Sequence, residues 1–233
     1  MLDIHTHILP KMDDGSCSVK QSFAMLRAEA LDDVDCVVFT PHFYAQNETP
    51  ETFLKRREAA LRQLTEAKDV SKSIPKMILG AEVAYFAGIS RAEGIEELCI
   101  DGTNSMLIEM PFCRWNRSVL DELDFLMENR GIRPIIAHIE RYMFYQSFGT
   151  VRRLCEKGIL IQANTSFFTS WNTAWMAMWM LKKNRIHFLG SDCHNMKKRP
   201  PDMGEALFRI ELRLGRRALK YLRHVERILL GGG

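Results

Sequence analysis

Leu2-Asp3-Ile4-His5-Thr6-His7, followed directly by Ile8-Leu9-Pro10-Lys11-Met12-Asp13-Asp14-Gly15-Ser16, decides how the rest of the chain is to be understood. A short apolar run at the very start predicts a buried strand, and in extended chain residues two apart share a face. His5 and His7 therefore converge on one point, and an Asp-Asp-Gly turn follows within a few residues. Ionisable groups at the end of a buried strand are costly unless they are paired or ligate a cation.

Six further strands are predicted from β-branched or apolar runs: Cys36 to Thr40, Met77 to Val83, Ser105 to Glu109, Pro134 to Ala137, Ile159 to Ala163, and Ile186 to Gly190, the first being Leu2 to Ile4. Helical periodicity fills the intervals at 18–31, 51–68, 117–129, 149–157 and 171–184, and a basic helical segment runs from about 201 to 230, broken near Gly215. Such alternation is the pattern of parallel strands joined by crossover helices. No Pro/Ser-rich linker or tandem repeat interrupts it, so residues 1–233 are expected to form one domain.

Nearly every predicted strand delivers a metal-binding or phosphate-binding type of residue at its carboxyl end. His5, His7 and Asp14 follow the first, His42 the second, Glu82 and Glu109 end the third and fourth, His138 follows the fifth, and Asp192 and His194 follow the seventh. The sixth offers only Asn164. A closed barrel collects residues from many strand ends, whereas an open doubly wound sheet uses one switch point. If the chain stays extended through Asp192-Cys193-His194, that pair shares a face as His5 and His7 do.

Nine candidates exceed the capacity of one ion, so two or three divalent ions with bridging carboxylates such as Glu82 are expected. A set of His, Asp and Glu without a necessary thiolate suits Mn²⁺, Zn²⁺ or Fe²⁺. Arg141 and Arg199 stand beside the ligands in sequence. A planar guanidinium donates two parallel hydrogen bonds to phosphate, which points to a phosphorylated substrate.

Composition narrows the remainder. With 233 residues, 46% of them apolar, the chain supports a sizeable core, which excludes disorder and a disulfide-stapled miniprotein. The net charge of +3 argues against wholesale nucleic-acid binding, and its excess lies in residues 197–233, with 10 basic and 4 acidic side chains. No stretch approaches the roughly 18 consecutive apolar residues of a membrane span. Six scattered cysteines without a CxxC pair, and a start that does not read as a secretory signal, predict a cytoplasmic protein.

The ordered pieces DIHTHILPKMDDGS (3–16), TPHF (40–43), GAEVAY (80–85), LIEMP (107–111), IAHIERY (136–142), QANTS (162–166) and GSDCHNMKKRPPDM (190–203) resemble the polymerase and histidinol phosphatase (PHP) superfamily. Within it the chain is most similar to the bacterial tyrosine-protein phosphatases of capsule and exopolysaccharide operons. The resemblance implies an α/β fold, a distorted seven-stranded TIM-like barrel with a trinuclear site, most simply loaded with Mn²⁺. It carries His5, His7, Asp14, His42, Glu82, Glu109, His138, Asp192 and His194 over as ligands, and Arg141 and Arg199 as phosphate-binding catalytic residues. The implied activity is phosphotyrosine hydrolysis, on the tail of a bacterial tyrosine kinase controlling polysaccharide synthesis. Two alternatives share the fold: a phosphomonoesterase of the histidinol-phosphate type, and a non-catalytic binding module.

Cys193 and Arg199 have the spacing of cysteine-dependent tyrosine phosphatases. The intervening residues contain no Gly and Pro200 follows, which disfavours a phosphate-wrapping loop of backbone N–H groups. Trp171, Trp175 and Trp179 recur every four residues and are expected to form the core face of a helix, an exposed face for homo-oligomer formation being the alternative. The tail is expected to be an outer helix with a solvated basic face. Contact with an anionic surface or acidic kinase tail is its functional alternative. His187 and His224, away from strand carboxyl ends, are expected to be structural or surface residues.

Overall fold

The apolar runs do become strands, and every pairing among the described residues is parallel. The computed structural model describes residues 1–67 and 74–231. Lys68, the last residue of the helix expected over 51–68, and the closing Gly232 and Gly233 lie outside the described residues. Among the described residues the strands are β1 (Leu2–Thr6), β2 (Cys36–Phe39), β3 (His42–Phe43), β4 (Lys76–Leu79), β5 (Glu82–Ala84), β6 (Ser105–Glu109), β7 (Arg133–Ile136), β8 (Leu160–Asn164) and β9 (Phe188–Gly190). One ladder has the order β1-β2-β4 and the other β3-β5-β6-β7-β8-β9. They are linked where β1 meets the segment after β9. There the His7 N–H donates to the Cys193 carbonyl (3.0 Å) and the Asp192 N–H to the His5 carbonyl (2.8 Å). The product is a curled parallel sheet whose strands end on the same side.

Nine strands stand where seven were expected because one expected run is broken and a further short strand, β3, follows another. Met77–Val83 divides into β4 and β5 at Gly80, where a Cβ would lie 3.0 Å from Val38 Cγ1. The second run likewise bends at Thr40-Pro41 before β3. The breaks exchange partners: β2 pairs with β4, while β3 pairs with β5 and sets His42 opposite Glu82.

Helix ends are marked in the sequence by polar caps, which satisfy the unpaired N–H groups of a first turn. Ser18 caps α1 (Val19–Leu31), Thr49 caps α2 (Pro50–Glu66), Asn116 caps α3 (Arg117–Arg130) and Ser147 caps α4 (Phe148–Glu156). The helix expected over 171–184 is shorter. A one-turn α5 (Thr165–Thr169) precedes α6 (Ala174–Lys182), which buries Ala177, Met180 and Leu181. The tryptophans are therefore not a core face: Trp171 and Trp175 are 87% and 65% exposed, and only Trp179 packs, against the Phe148 ring. The tail forms α7 (Met203–Leu214) and α8 (Arg216–Leu229), broken at Gly215 as the sequence predicts.

Alternation within the strands separates two apolar layers. Val37, Phe39, Met106, Ile108 and Ile136 pack with the helices, on Met25, Leu26, Leu64, Leu123 and Leu126. Leu2, Ile4, Val38, Leu107, Ile135 and Phe188 form a second cluster on the concave side, against which Val225 and Leu229 of α8 pack. This apolar plug lies beneath the polar strand ends and supports them from below.

His187 stitches β9 to β8. Its N–H donates to the Ile161 carbonyl (2.9 Å) and its Nδ1 accepts from the Ile161 N–H (3.0 Å), which requires Nδ1 to be unprotonated. Burial, with Arg133 nearby, pushes the ring down to about 4 from 6.5. The unfolded chain therefore takes up this proton first, so the stability from the neutral ring is complete above about 6.5 and lost as pH falls through about 4. Thermal unfolding followed from pH 7 to 4 should show a shallower acid decline in His187→Gln than in the parent; equal slopes would refute the assignment.

Candidate metal centre

All nine sequence-predicted ligands come together. β1 delivers His5, β3 His42, β5 Glu82, and β6 Glu109; His7 and Asp14 follow β1, His138 follows β7, and Asp192 and His194 lie on the loop after β9. Three overlapping sets have ligand atoms mutually within 4.8 Å: His7, Asp14, His42 and His194; His5, His7 and Asp192; His42, Glu82 and Glu109. His138 joins through Nε2, 2.9 Å from Glu82 Oε1 and 3.3 Å from Glu109 Oε1.

Local hydrogen bonds fix the tautomers. His7 Nδ1 is held by Asp13 Oδ2 (2.7 Å), His194 Nδ1 by the Asp192 carbonyl (2.9 Å), and His5 Nδ1 by Gln162 Oε1 (3.3 Å). A ring that donates from Nδ1 presents a lone pair at Nε2. The His5 and His7 Nε2 atoms then face each other at 3.2 Å, with Glu82 Oε2 3.1 and 3.3 Å away and Asp192 Oδ1 3.5 and 3.4 Å away. Lone pairs crowded so closely lack a positive charge between them.

Unpartnered atoms give the test of fit. Around the centre, His42 Nδ1, Glu82 Oε2 and His194 Nε2 are buried with no hydrogen-bond partner. His42 Nδ1 and Glu82 Oε2 lie 2.9 Å apart, yet neither is aligned to bond the other. An orphaned buried polar atom costs about 1–3 kcal/mol, and several around one point require a shared partner. The hard oxygen and imidazole donors fit divalent cations. Without them the charges strain against one another. Burial lowers the affinity of His138 for a proton, but Glu109 and Glu82 raise it to about 9, whereas burial and neighbouring His7 push His194 down to about 4.

Backbone geometry is distorted where ligands leave the strands. His138 has φ 30° and Asp192 φ 53°, a region that non-glycine residues rarely occupy. Asp192-Cys193-His194 is therefore not extended, correcting the expectation of strand alternation; the left-handed turn at Asp192 brings both ligands inward instead. Gly190 permits this approach, since a Cβ there would lie 2.6 Å from His5 Cβ. Arg141 and Arg199 each place Nη2 2.5 Å from Asp192 Oδ2, with both side chains more than a third exposed.

The sequence model for capsular polysaccharide synthesis proteins, CpsB/CapC, matches residues 1–227. The chain belongs to the CpsB/CapC family. It is 30% identical to the tyrosine-protein phosphatase CpsB of Streptococcus pneumoniae over 95% of this chain and 94% of that protein. It is 29% identical to the tyrosine-protein phosphatase YwqE of Bacillus subtilis over 92% and 85%. A crystal structure from work on YwqE and CpsB, described there as metal-dependent tyrosine phosphatases, superposes with a TM-score of 0.83 at 25% identity. The match covers 100% of this chain and 95% of that one.

In this CpsB/CapC chain Cys193 is no phosphatase nucleophile in waiting. Its side chain is fully buried away from the ligands, with Sγ 3.6 Å from Glu29 Oε1, and burial beside Glu29 and Asp3 pushes the thiol well above its usual range. A thiolate is what such chemistry requires. Two supporting residues escaped the sequence reading. Asp13 holds His7 and accepts from the His42 N–H (3.0 Å), and Gln162 accepts from both the His5 ring and the His138 N–H (2.5 Å). The adjacent pair Asp13-Asp14 in the turn was the available signal, since one acid facing a ligand leaves its neighbour free to orient one.

Asp13 is the cleanest probe of this orientation. Replacing a partner that fixes a ligating histidine costs typically 10–100-fold in metal affinity. Asp13→Asn should bind Mn²⁺ about 10- to 100-fold more weakly by calorimetry while melting normally without metal. Unchanged affinity would show that His7 needs no such partner.

Proposed function

We propose that this CpsB/CapC chain is a metal-dependent protein-tyrosine phosphatase that hydrolyses phosphotyrosine on a bacterial tyrosine kinase governing capsular or exopolysaccharide synthesis. The observation that carries the reading is the cluster of orphaned ligand atoms around His5, His7 and Glu82, capped by two arginines on Asp192. Its relatives' named activity supports it.

His5, His7, Asp14, His42, Glu82, Glu109, His138, Asp192 and His194 would hold two or three divalent ions, Mn²⁺ foremost and Fe or Zn as alternatives. When bound, such ions supply positive charge to phosphoryl oxygens and ionise water near neutral pH. Arg141 and Arg199 spend one N–H each on Asp192, leaving further donors of each guanidinium for phosphate oxygens. Their exposed position lets a phosphate reach them from solvent. Tyrosinate, with a conjugate-acid pKa of about 10, departs more readily than an alkoxide, so no strong acid is required beside the leaving oxygen.

The accompanying fold reading is a closed seven-stave barrel in a single domain. β2 with β3, and β4 with β5, each count as one kinked stave, and the Thr6–Cys193 bridge supports closure. No helix among the described residues is long and apolar enough to cross a membrane. A cytoplasmic site of action agrees with the free cysteines.

Hydrolysis of a phosphotyrosine peptide, with metal content measured in parallel, tests the proposal. Chelation should abolish turnover and Mn²⁺ restore it. Arg199→Met should lower kcat/KM by about 10²- to 10³-fold, the scale of losing one transition-state donor. Cys193→Ser should retain most activity. Turnover that persists after complete metal removal, or vanishes in Cys193→Ser with metal still bound, would refute the mechanism.

A further inference from the structure

We infer that Phe112 is the platform on which the aromatic ring of the substrate rests, and so a specificity-determining residue for aryl over alkyl phosphates. The inference rests on the phosphatase reading above.

Phe112 lies three residues beyond Glu109, at the carboxyl end of β6, and its ring is half exposed. It runs nearly parallel to the His138 imidazole, at 14° with centroids 6.3 Å apart. It also lies 5.4 Å from the Tyr142 ring. Arg141 is next in sequence to Tyr142 and reaches both Glu109 and Asp192. The exposed ring thus borders the same few side chains that would receive a phosphoryl group.

A single exposed phenylalanine is ordinary; one held rigid by buried polar groups is not. Three side chains spend hydrogen bonds on the backbone that carries it. The Tyr142 hydroxyl accepts from the Met110 N–H (2.8 Å), the Trp115 Nε1–H donates to the Pro111 carbonyl (3.0 Å), and the Gln146 Nε2–H donates to the Cys113 carbonyl (2.8 Å). All three are buried, with Tyr142 wholly inaccessible. Pro111 stiffens the segment further. The backbone that carries the ring is consequently held before any ligand arrives, which spares the entropy of ordering this segment on binding.

The chemistry selects the ligand. In an aryl phosphate the ring begins one oxygen from phosphorus, so a phosphate held at Arg141 brings the ring into the first rank of surrounding side chains. Aromatic pairs favour offset or edge-on contact with a fixed partner ring. An alkyl phosphate of phosphoserine type has no face to offer. Tyr44 is the competing platform, but its side chain is only partly exposed, whereas that of Phe112 is open to solvent.

The test compares two non-hydrolysable probes, phenylphosphonate and methylphosphonate, by calorimetry on the Mn²⁺-loaded protein, together with turnover of phosphotyrosine and phosphoserine peptides. Phe112→Ala should weaken phenylphosphonate about 10-fold, the scale of a lost aromatic contact, and leave methylphosphonate, metal content and melting temperature unchanged. Phe112→Trp should restore the aryl preference. Equal weakening of both probes, an unaltered ratio, or loss of the preference in Tyr44→Ala instead would overturn the inference. Failure of the parent protein to turn over phosphotyrosine would overturn the phosphatase reading first. Turnover with an unchanged aryl preference in Phe112→Ala overturns only the role of Phe112.

Discussion

Two imidazole nitrogens 3.2 Å apart, flanked by carboxylate oxygens, set the terms for the whole molecule. In water such groups would turn away or take up protons. Here His5 is buried on a strand paired with β2, and His7, buried just past its end, is tied to the loop after β9, so rotation is closed to them. Their Nδ1 atoms are committed to Gln162 and Asp13. What remains is an arrangement satisfied by positive charge at the centre, which is the physical content of a metal site before any metal is considered.

Holding that arrangement requires concessions elsewhere in the fold. One expected run breaks, and a short strand follows another, so that His42 and Glu82 can face each other in register. His138 and Asp192 adopt left-handed backbone at a cost of about 1–3 kcal/mol each, tolerable only where the surroundings over-determine the geometry. The surroundings do so from below: the apolar cluster of Leu2, Ile4, Val38, Leu107 and Phe188, closed by Val225 and Leu229, gives the strand ends a stiff base. α8 thus serves the site without approaching it, its buried side covering the lower end of the curled sheet while its basic side faces solvent.

The convergence of the nine candidate side chains was legible because parallel strands place their ends together and because His5 and His7 stand two residues apart at the end of β1. Features needing a partner distant in sequence were not. Asp13 and Asp14 are chemically equivalent in the sequence, and only the position of His7 Nδ1 distinguishes the supporting acid from the one facing the ligands. Gln162 looks like one more residue in an apolar strand until the His5 ring and the His138 N–H are set against it. The break at Gly80 follows from its distance to Val38, which no local propensity encodes. The tryptophan repeat misled for a related reason: helical spacing identifies a face only if the helix includes the residues, and α6 begins after Trp171.

Asp192 joins the two halves of the chemistry. Its Oδ1 turns toward His5 and His7, while its Oδ2 accepts from Arg141, Arg199 and the Asn164 amide (3.0 Å). Burial by itself would raise the pKa of this carboxyl, but the charge of His5 and the hydrogen bond and charge of His7 outweigh it, and the group stays ionised far below the usual carboxylate range. One carboxylate therefore divides its charge between a pocket suited to cations and a pair of guanidinium groups suited to anions. Arginines placed this close to the centre without Asp192 between them would repel its ions; with it, their excess donors remain available outward.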